Sequence, residues 1–215
     1  MRIAVVGATG PTGQLAVAEA LGRGHEVVAY VRRPQAMTAV PRLSVVPGEL
    51  ADIDAFASAI AGCDVVVCTL GNRSFKIRNF MREHLPMVSA AMLRSGVNRL
   101  VLMSALGGGE LPTKVTGVGR GIFKFLSRTV FVDRTESESE LAATGVAWCG
   151  VYPGFLTDGP AVSKVDVVDL NDLLDVRGGG QIPRANVASL LVDLAEDDQS
   201  PGRRLAIAPP GTLRW

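Results

Sequence analysis

The stretch "VVGATGPTGQLA", Val5 to Ala16, sets Gly7, Gly10 and Gly13 three residues apart, between an apolar run and a helical pattern. Backbone without side chains turns tightly and comes within hydrogen-bonding reach of a pyrophosphate. A helix N-terminus adds free N–H groups and partial positive charge. Gly13 lets the helix pack close to the sheet, and Thr9 and Thr12 add hydroxyl donors. About twenty residues on, a site for NAD carries an acid for the ribose 2′-hydroxyl. Here "HEVVAYVRRP" ends instead in Arg32 and Arg33. Two guanidinium groups suit a 2′-phosphate and leave a bare ribose without its acceptor, so NADP(H) is the expected cofactor. Glu49 in "PGELADI" either meets an adenine amino group, with Leu50 on the ring face, or acts as a helix N-terminal charge. "CTLGN" ends the next run with Leu70 and Gly71, where backbone passes close to an adenosine ribose.

Other reactive types carry weaker patterns. A carbonyl-reducing Tyr works with a Lys four residues on, because a nascent alkoxide needs a proton donor. The chain has only Tyr30 and Tyr152, and neither is followed by Lys at that spacing. His25 and His84 stand far apart without metal-ligand spacing and read as structural, so no metal is expected. Asp133, Glu136, Glu138 and Glu140 alternate with small polar residues and read as a solvated helix face. Phe123, Phe125 and Phe131 either cover an aromatic acceptor or pin a loop to the core.

Seven runs rich in Val, Ile and Leu must position these residues: "RIAVVG", "HEVVAYVR", "LSVVPG", "DVVVCTLG", "RLVLMSA", "VAWCGVYPG" and "RLAIAPP". Helical patterns lie between several of them: "TGQLAVAEALGRG", "DIDAFASAIAGC" and "NFMREHLPMVSAAMLRSGV". Continuously apolar strands separated by amphipathic helices imply an α/β fold with a doubly wound parallel sheet covered on both faces. Pro86 should kink the third helix or delay its start to Glu83–Met87. The glycine-rich, basic stretch Gly107 to Arg128 interrupts the alternation, either as a loop or lid beside the ligand crevice or as a plain surface loop. With 215 residues, 47% of them hydrophobic, residues 1–215 read as one domain. Lys and Arg total 22 against 21 for Asp and Glu, a net charge of +1 that favours neither nucleic acid nor a membrane surface. Cys63, Cys68 and Cys149 are an odd number in apolar surroundings, which suits a reducing cytoplasm. The short apolar start and the lack of a membrane-length run point to a soluble protein.

Taken in order, "GATGPTG", "VRRP", "GEL", "TLGN", "LVLMSA", "TGVAWCGVYPGF" and "IPRANVASLLVDL" give a chain that resembles the atypical short-chain dehydrogenase/reductases, in their NmrA-like and biliverdin reductase B (flavin reductase) branches. The resemblance covers nearly the whole chain. It implies a three-layer Rossmann-like domain binding NADP(H), a short C-terminal part shaping the substrate pocket, and hydride transfer to flavins, quinones or similar conjugated acceptors. Residue by residue, it implies that Gly7, Thr9, Gly10, Pro11, Thr12 and Gly13 meet the phosphates and Arg32 the 2′-phosphate. It places Ser104, with Ala105 beside it, near the nicotinamide, and the backbone of Pro153, Gly154 and Phe155 along the carboxamide. Arg134 stands where related members have a Lys, as a cation suited to orienting a ligand but not to acid catalysis. Ser104 either donates to an acceptor or satisfies the strand-end backbone. Two departures stand out: many members have Arg where this chain has Tyr152, and biliverdin reductase B-like members have His where it has Phe155.

The expectation is an NADPH-dependent oxidoreductase acting on a flavin-like or quinone-like acceptor, which needs little beyond stacking and solvent protons. The alternative is an NADP(H)-sensing regulator or assembly factor without turnover, which the missing Tyr–Lys pair favours. A sugar-nucleotide epimerase is disfavoured by the same absence. The expected partner is a small conjugated molecule, and the oligomeric state stays open.

Overall fold

Successive side chains of a strand point to opposite faces, so a run that is apolar at every position belongs between two covering layers. The computed structural model of the protein describes residues 1–71, 79–106, 115–116, 132–177 and 180–215. In it the seven apolar runs are the strands β1 (Arg2–Val6), β2 (Glu26–Val31), β3 (Leu43–Pro47), β4 (Val65–Cys68), β5 (Arg99–Met103), β6 (Ala147–Pro153) and, beyond an added β7 (Asp166–Asp169), β8 (Arg204–Ala208). The sheet order is β3-β2-β1-β4-β5-β6-β8-β7, parallel throughout except for antiparallel β7. Chain order reverses between β1 and β4. This is the doubly wound, Rossmann-like arrangement expected from the sequence, with a crevice beyond the carboxyl ends of those strands.

Register puts Tyr30, Val6, Cys68 and Leu102 in one row across four strands. That row belongs to the face covered by Phe56 and Ile60 of α2 (Ile53–Ile60), Leu85, Val88 and Met92 of α3 (Phe80–Ser95), and Leu141 of α4 (132–142). The other face carries Val5, Ala29, Val67 and Val101 against Val17 and Ala20 of α1 (Pro11–Gly22) and Val187 and Leu191 of α5 (Arg184–Glu196). Each fully buried aliphatic side chain contributes about 1.5–3 kcal/mol, so two filled faces outweigh any local propensity. Across the α1/α5 seam Arg23 bonds Glu19, Asp193 and Glu196, and His25 Nε2 lies 2.7 Å from Glu196 Oε1. His25 is thus structural.

Two expectations change, and a third lies mostly outside the described residues. Helix α3 runs through Pro86 rather than starting after it, with Leu85 and Val88 on either side both in the core. The ring removes one helical N–H, and burial of this face offsets the loss. The acidic run 133–140 is not one solvated face: Glu136 and Glu140 are exposed, but Asp133 and Glu138 are each only 6% exposed. The stretch Gly107 to Arg128 lies outside the described residues except for Val115–Thr116, which pairs with Asp175–Arg177. Phe123, Phe125 and Phe131 lie outside them as well.

Candidate functional site

At the carboxyl end of β1 the chain turns on Gly7, whose φ of +82° disfavours any side chain. Thr69, just after β4, donates its hydroxyl to Val6 O at 3.0 Å, and a Cβ on Gly7 would meet Thr69 Oγ1 at 2.9 Å. A Cβ on Gly13 would lie 2.2 Å from Gly7 O. These two glycines serve the close approach of helix to strand. Gly10 differs: its backbone is extended, and among the described residues a Cβ there would meet only Gly7 O, at 3.1 Å. Pro11 opens α1, no side chain caps the helix, and its first turn holds no acid. The N–H groups of Thr12 and Gly13 precede the first i−4 acceptor and have no helical partner. Uncapped donors, the positive helix end and the open side of Gly10 form a cradle for an anion, so these residues fit a dinucleotide's phosphates.

The cradle opens on a cleft that brings together Gly7, Thr9, Arg32, Glu49, Leu50 and Leu70 from the expected set. Arg32 is exposed on its wall, while Arg33 is exposed but does not line it. Tyr30 seats the loop after β3: its ring stacks on Phe56 at 4.7 Å, and its hydroxyl donates to Glu49 O at 3.2 Å. A Cβ on Gly48 would sit 2.1 Å from that hydroxyl. The cap of α2 is Asp52, which accepts from Ala55 N, so the Glu49 side chain is left facing the cleft rather than the helix end.

Sequence reasoning missed the opposite wall. Phe80, His84 and Met87 of α3 line the cleft, so His84, expected to be structural, faces ligand space. Its Nδ1 donates to Phe80 O at 2.8 Å and its ring stacks on Phe80 at 4.3 Å. The start of α3 is fixed by Asp133, whose carboxylate accepts from Met81 N and Arg82 N at 2.9 and 3.0 Å. Only the i, i+4 spacing of Phe80 and His84 hinted at this face.

The remaining expected residues gather at the ends of β5 and β6. Ser104 N donates to Val151 O and Leu106 N to Pro153 O, which extends the pairing past the sheet. Ser104, 2% exposed, donates its hydroxyl to Glu138 Oε1 at 2.5 Å, and Tyr152 donates to Glu138 Oε2 at 2.7 Å. Ala105 is half-buried. Arg134 is buried: its Nη1 donates to Met103 O at 3.2 Å, Nη2 lies 4.0 Å from where a Gly71 Cβ would be, and Nε has no partner among the described residues. Gly154 is required by packing, since a Cβ there would lie 2.3 Å from Gly180 O, and Phe155 is 58% exposed. Thr12 is buried and does not line the cleft.

Burial pushes the Glu138 carboxyl above its ordinary range, against the lowering influence of the two hydroxyl bonds and of Arg134 and Arg204. Burial, with Glu138 next to it, also pushes Tyr152 up. The Cys68 thiol is driven by burial to about 11, so it is neutral and not a nucleophile. With the folded Glu138 raised above the unfolded value of about 4.3, the folded state holds a proton that the unfolded chain has released. The wild type should therefore lose stability relative to Glu138→Gln as pH rises through that window. Denaturant midpoints of both chains over a pH series measure this, and a pH-independent difference refutes it.

A family model described as NAD(P)H-binding matches residues 7–198. The chain is 27% identical to the chloroplastic protein TIC 62 of Pisum sativum over 224 residues, covering 90% of this chain and 40% of that protein's length. Among solved structures, the anaerobillin reductase ChuY of Escherichia coli O157:H7 superposes with a TM-score of 0.78 at 22% identity, covering 98% of each chain. A wide-type short-chain dehydrogenase/reductase of Veillonella parvula in complex with NADP gives 0.79 at 14% identity, over 99% of this chain and 96% of its own. These likenesses establish the fold.

Proposed function

We start from the fact that this chain belongs to the NAD(P)H-binding family, and propose that it is an NADPH-dependent reductase passing hydride to a flavin-like or quinone-like acceptor. The observation that carries this reading is the uncapped, glycine-built start of α1 opening on a cleft whose wall ends in Arg32. In this reading the N–H groups of Thr12 and Gly13 hold the pyrophosphate, Arg32 the 2′-phosphate, and Leu50 and Leu70 flank the adenine. Bound NADPH supplies the hydride. The chain's own share is to orient the acceptor beyond β4 and β5 and to exclude water there. The reductase named among the structural neighbours and the NADP complex of another support the reading by analogy of fold.

A second reading, an NADP(H)-sensing regulator or assembly factor, is favoured by one feature: the Ser104 hydroxyl is tied inward to Glu138. One experiment separates the two. The protein is mixed with NADPH and, in turn, FMN, riboflavin and a quinone series, with loss of reduced nicotinamide absorbance followed and NADPH binding titrated alongside. Acceptor-dependent oxidation above the uncatalysed rate is expected. Tight binding without oxidation establishes the second reading.

A further inference from the structure

We propose that Glu138 holds a proton and passes it through Ser104 Oγ to the acceptor, with Tyr152 fixing the carboxyl from behind; this rests on the reductase reading above. The geometry carries it. Glu138 reaches from α4 into the interior between the ends of β5 and β6, and its two oxygens meet two neutral hydroxyls, Ser104 at 2.5 Å and Tyr152 at 2.7 Å. Among the described residues it makes no ion pair. Arg134, one turn before it on α4, directs Nη1 to Met103 O instead, and Arg204 of β8 acts on it only through its charge. A buried carboxylate without a contacting cation is costly, whereas the acid in the same place keeps every hydrogen bond.

The protonation state of Glu138 decides what Ser104 can do. As a carboxylate, Glu138 accepts from both hydroxyls, and Ser104 has no hydrogen left to give. As an acid, Oε2 accepts from Tyr152 while Oε1–H donates to Ser104 Oγ, which frees the serine hydrogen for another partner. Ser104 directly follows β5 at the carboxyl edge of the sheet, across the β1/β4 switch point from the Arg32 strand. A dinucleotide anchored at Arg32 therefore extends toward it. In the step itself the acceptor gains a hydride, with its electron pair, from NADPH and a proton from Ser104 Oγ. Ser104 regains a proton from Glu138 Oε1. Glu138 is left as a carboxylate held by Tyr152 Oη–H and Ser104 Oγ–H until water returns the proton.

Glu138→Gln keeps the shape and cannot release a proton. An infrared difference spectrum, wild type minus Glu138→Gln at neutral pH without cofactor, should show the carbonyl stretch of a protonated carboxyl, shifted in heavy water. A carboxylate signature in its place overturns the proposal. With an acceptor that the wild type reduces, Glu138→Gln should lower kcat by about 100-fold while NADPH binds within about twofold of wild type. Tyr152→Phe removes a bond that favours the carboxylate, so it should shift the alkaline limb of the kcat profile to higher pH, an effect that loss of structure does not mimic. An active wild type whose Glu138→Gln variant keeps its rate and profile overturns the proposal alone. A wild type that binds NADPH and fails to oxidise it with any of the acceptors overturns the reductase reading, and the proposal with it.

Discussion

Gly13→Ala should cost about 3 kcal/mol of stability, whereas Gly10→Ala should leave the fold intact and weaken NADPH binding by about tenfold or more. The two glycines look alike in the sequence, but their surroundings differ. A methyl on Gly13 would sit 2.2 Å from Gly7 O and 2.8 Å from Gly7 C, both backbone atoms that cannot swing aside. Relief requires α1 to move away from β1, which opens the packing of Val17 and Ala20. Among the described residues a methyl on Gly10 meets only Gly7 O at 3.1 Å, and the Gly10 backbone, at φ −77° and ψ 161°, accepts any residue. It would cover the open side of the cradle instead. Thermal unfolding and NADPH titration of the two variants separate the roles; for a chain of this size, 3 kcal/mol corresponds to a fall in Tm of about 6–12 °C. Equal loss of affinity with equal loss of stability in both variants would sink the distinction.

Arg32→Ala should lower NADPH affinity by about 10- to 100-fold and leave NADH affinity within about twofold of wild type. A guanidinium on a phosphate makes charge-assisted hydrogen bonds, and NADH has no 2′-phosphate to receive them. Arg32 lines the cleft and Arg33 does not, so Arg33→Ala should have the smaller effect. The discrimination should shrink with added salt, because Arg32 is exposed and its field is screened. Competitive titrations with the two reduced cofactors at low and high ionic strength measure both effects. If Arg32→Ala weakens NADPH and NADH equally, the 2′-phosphate assignment is wrong.

Patterns that repeat along the chain were legible without coordinates. The seven apolar runs are strands because a run buried on both faces must be apolar at every position, and the glycine spacing marks the turn because Gly7 and Gly13 stand where a Cβ would meet neighbouring atoms. The cleft's near wall, Gly7, Thr9, Arg32, Glu49, Leu50 and Leu70, was readable for the same reason: each residue follows the end of its own strand. Its far wall was not. Phe80, His84 and Met87 line the cleft on a helix whose start is held by Asp133, some fifty residues later, and whose inner face is buried through Leu85, Val88 and Met92. Glu138 looked like a solvated charge because its neighbours in sequence are small and polar, and nothing local announces that Ser104 and Tyr152 will close on it from the ends of two strands. Residues whose role depends on neighbours within a turn or a strand were determined by the sequence itself. The state of a buried carboxyl and the facing of a helix were decided by tertiary structure, since both depend on which distant groups replace water around them.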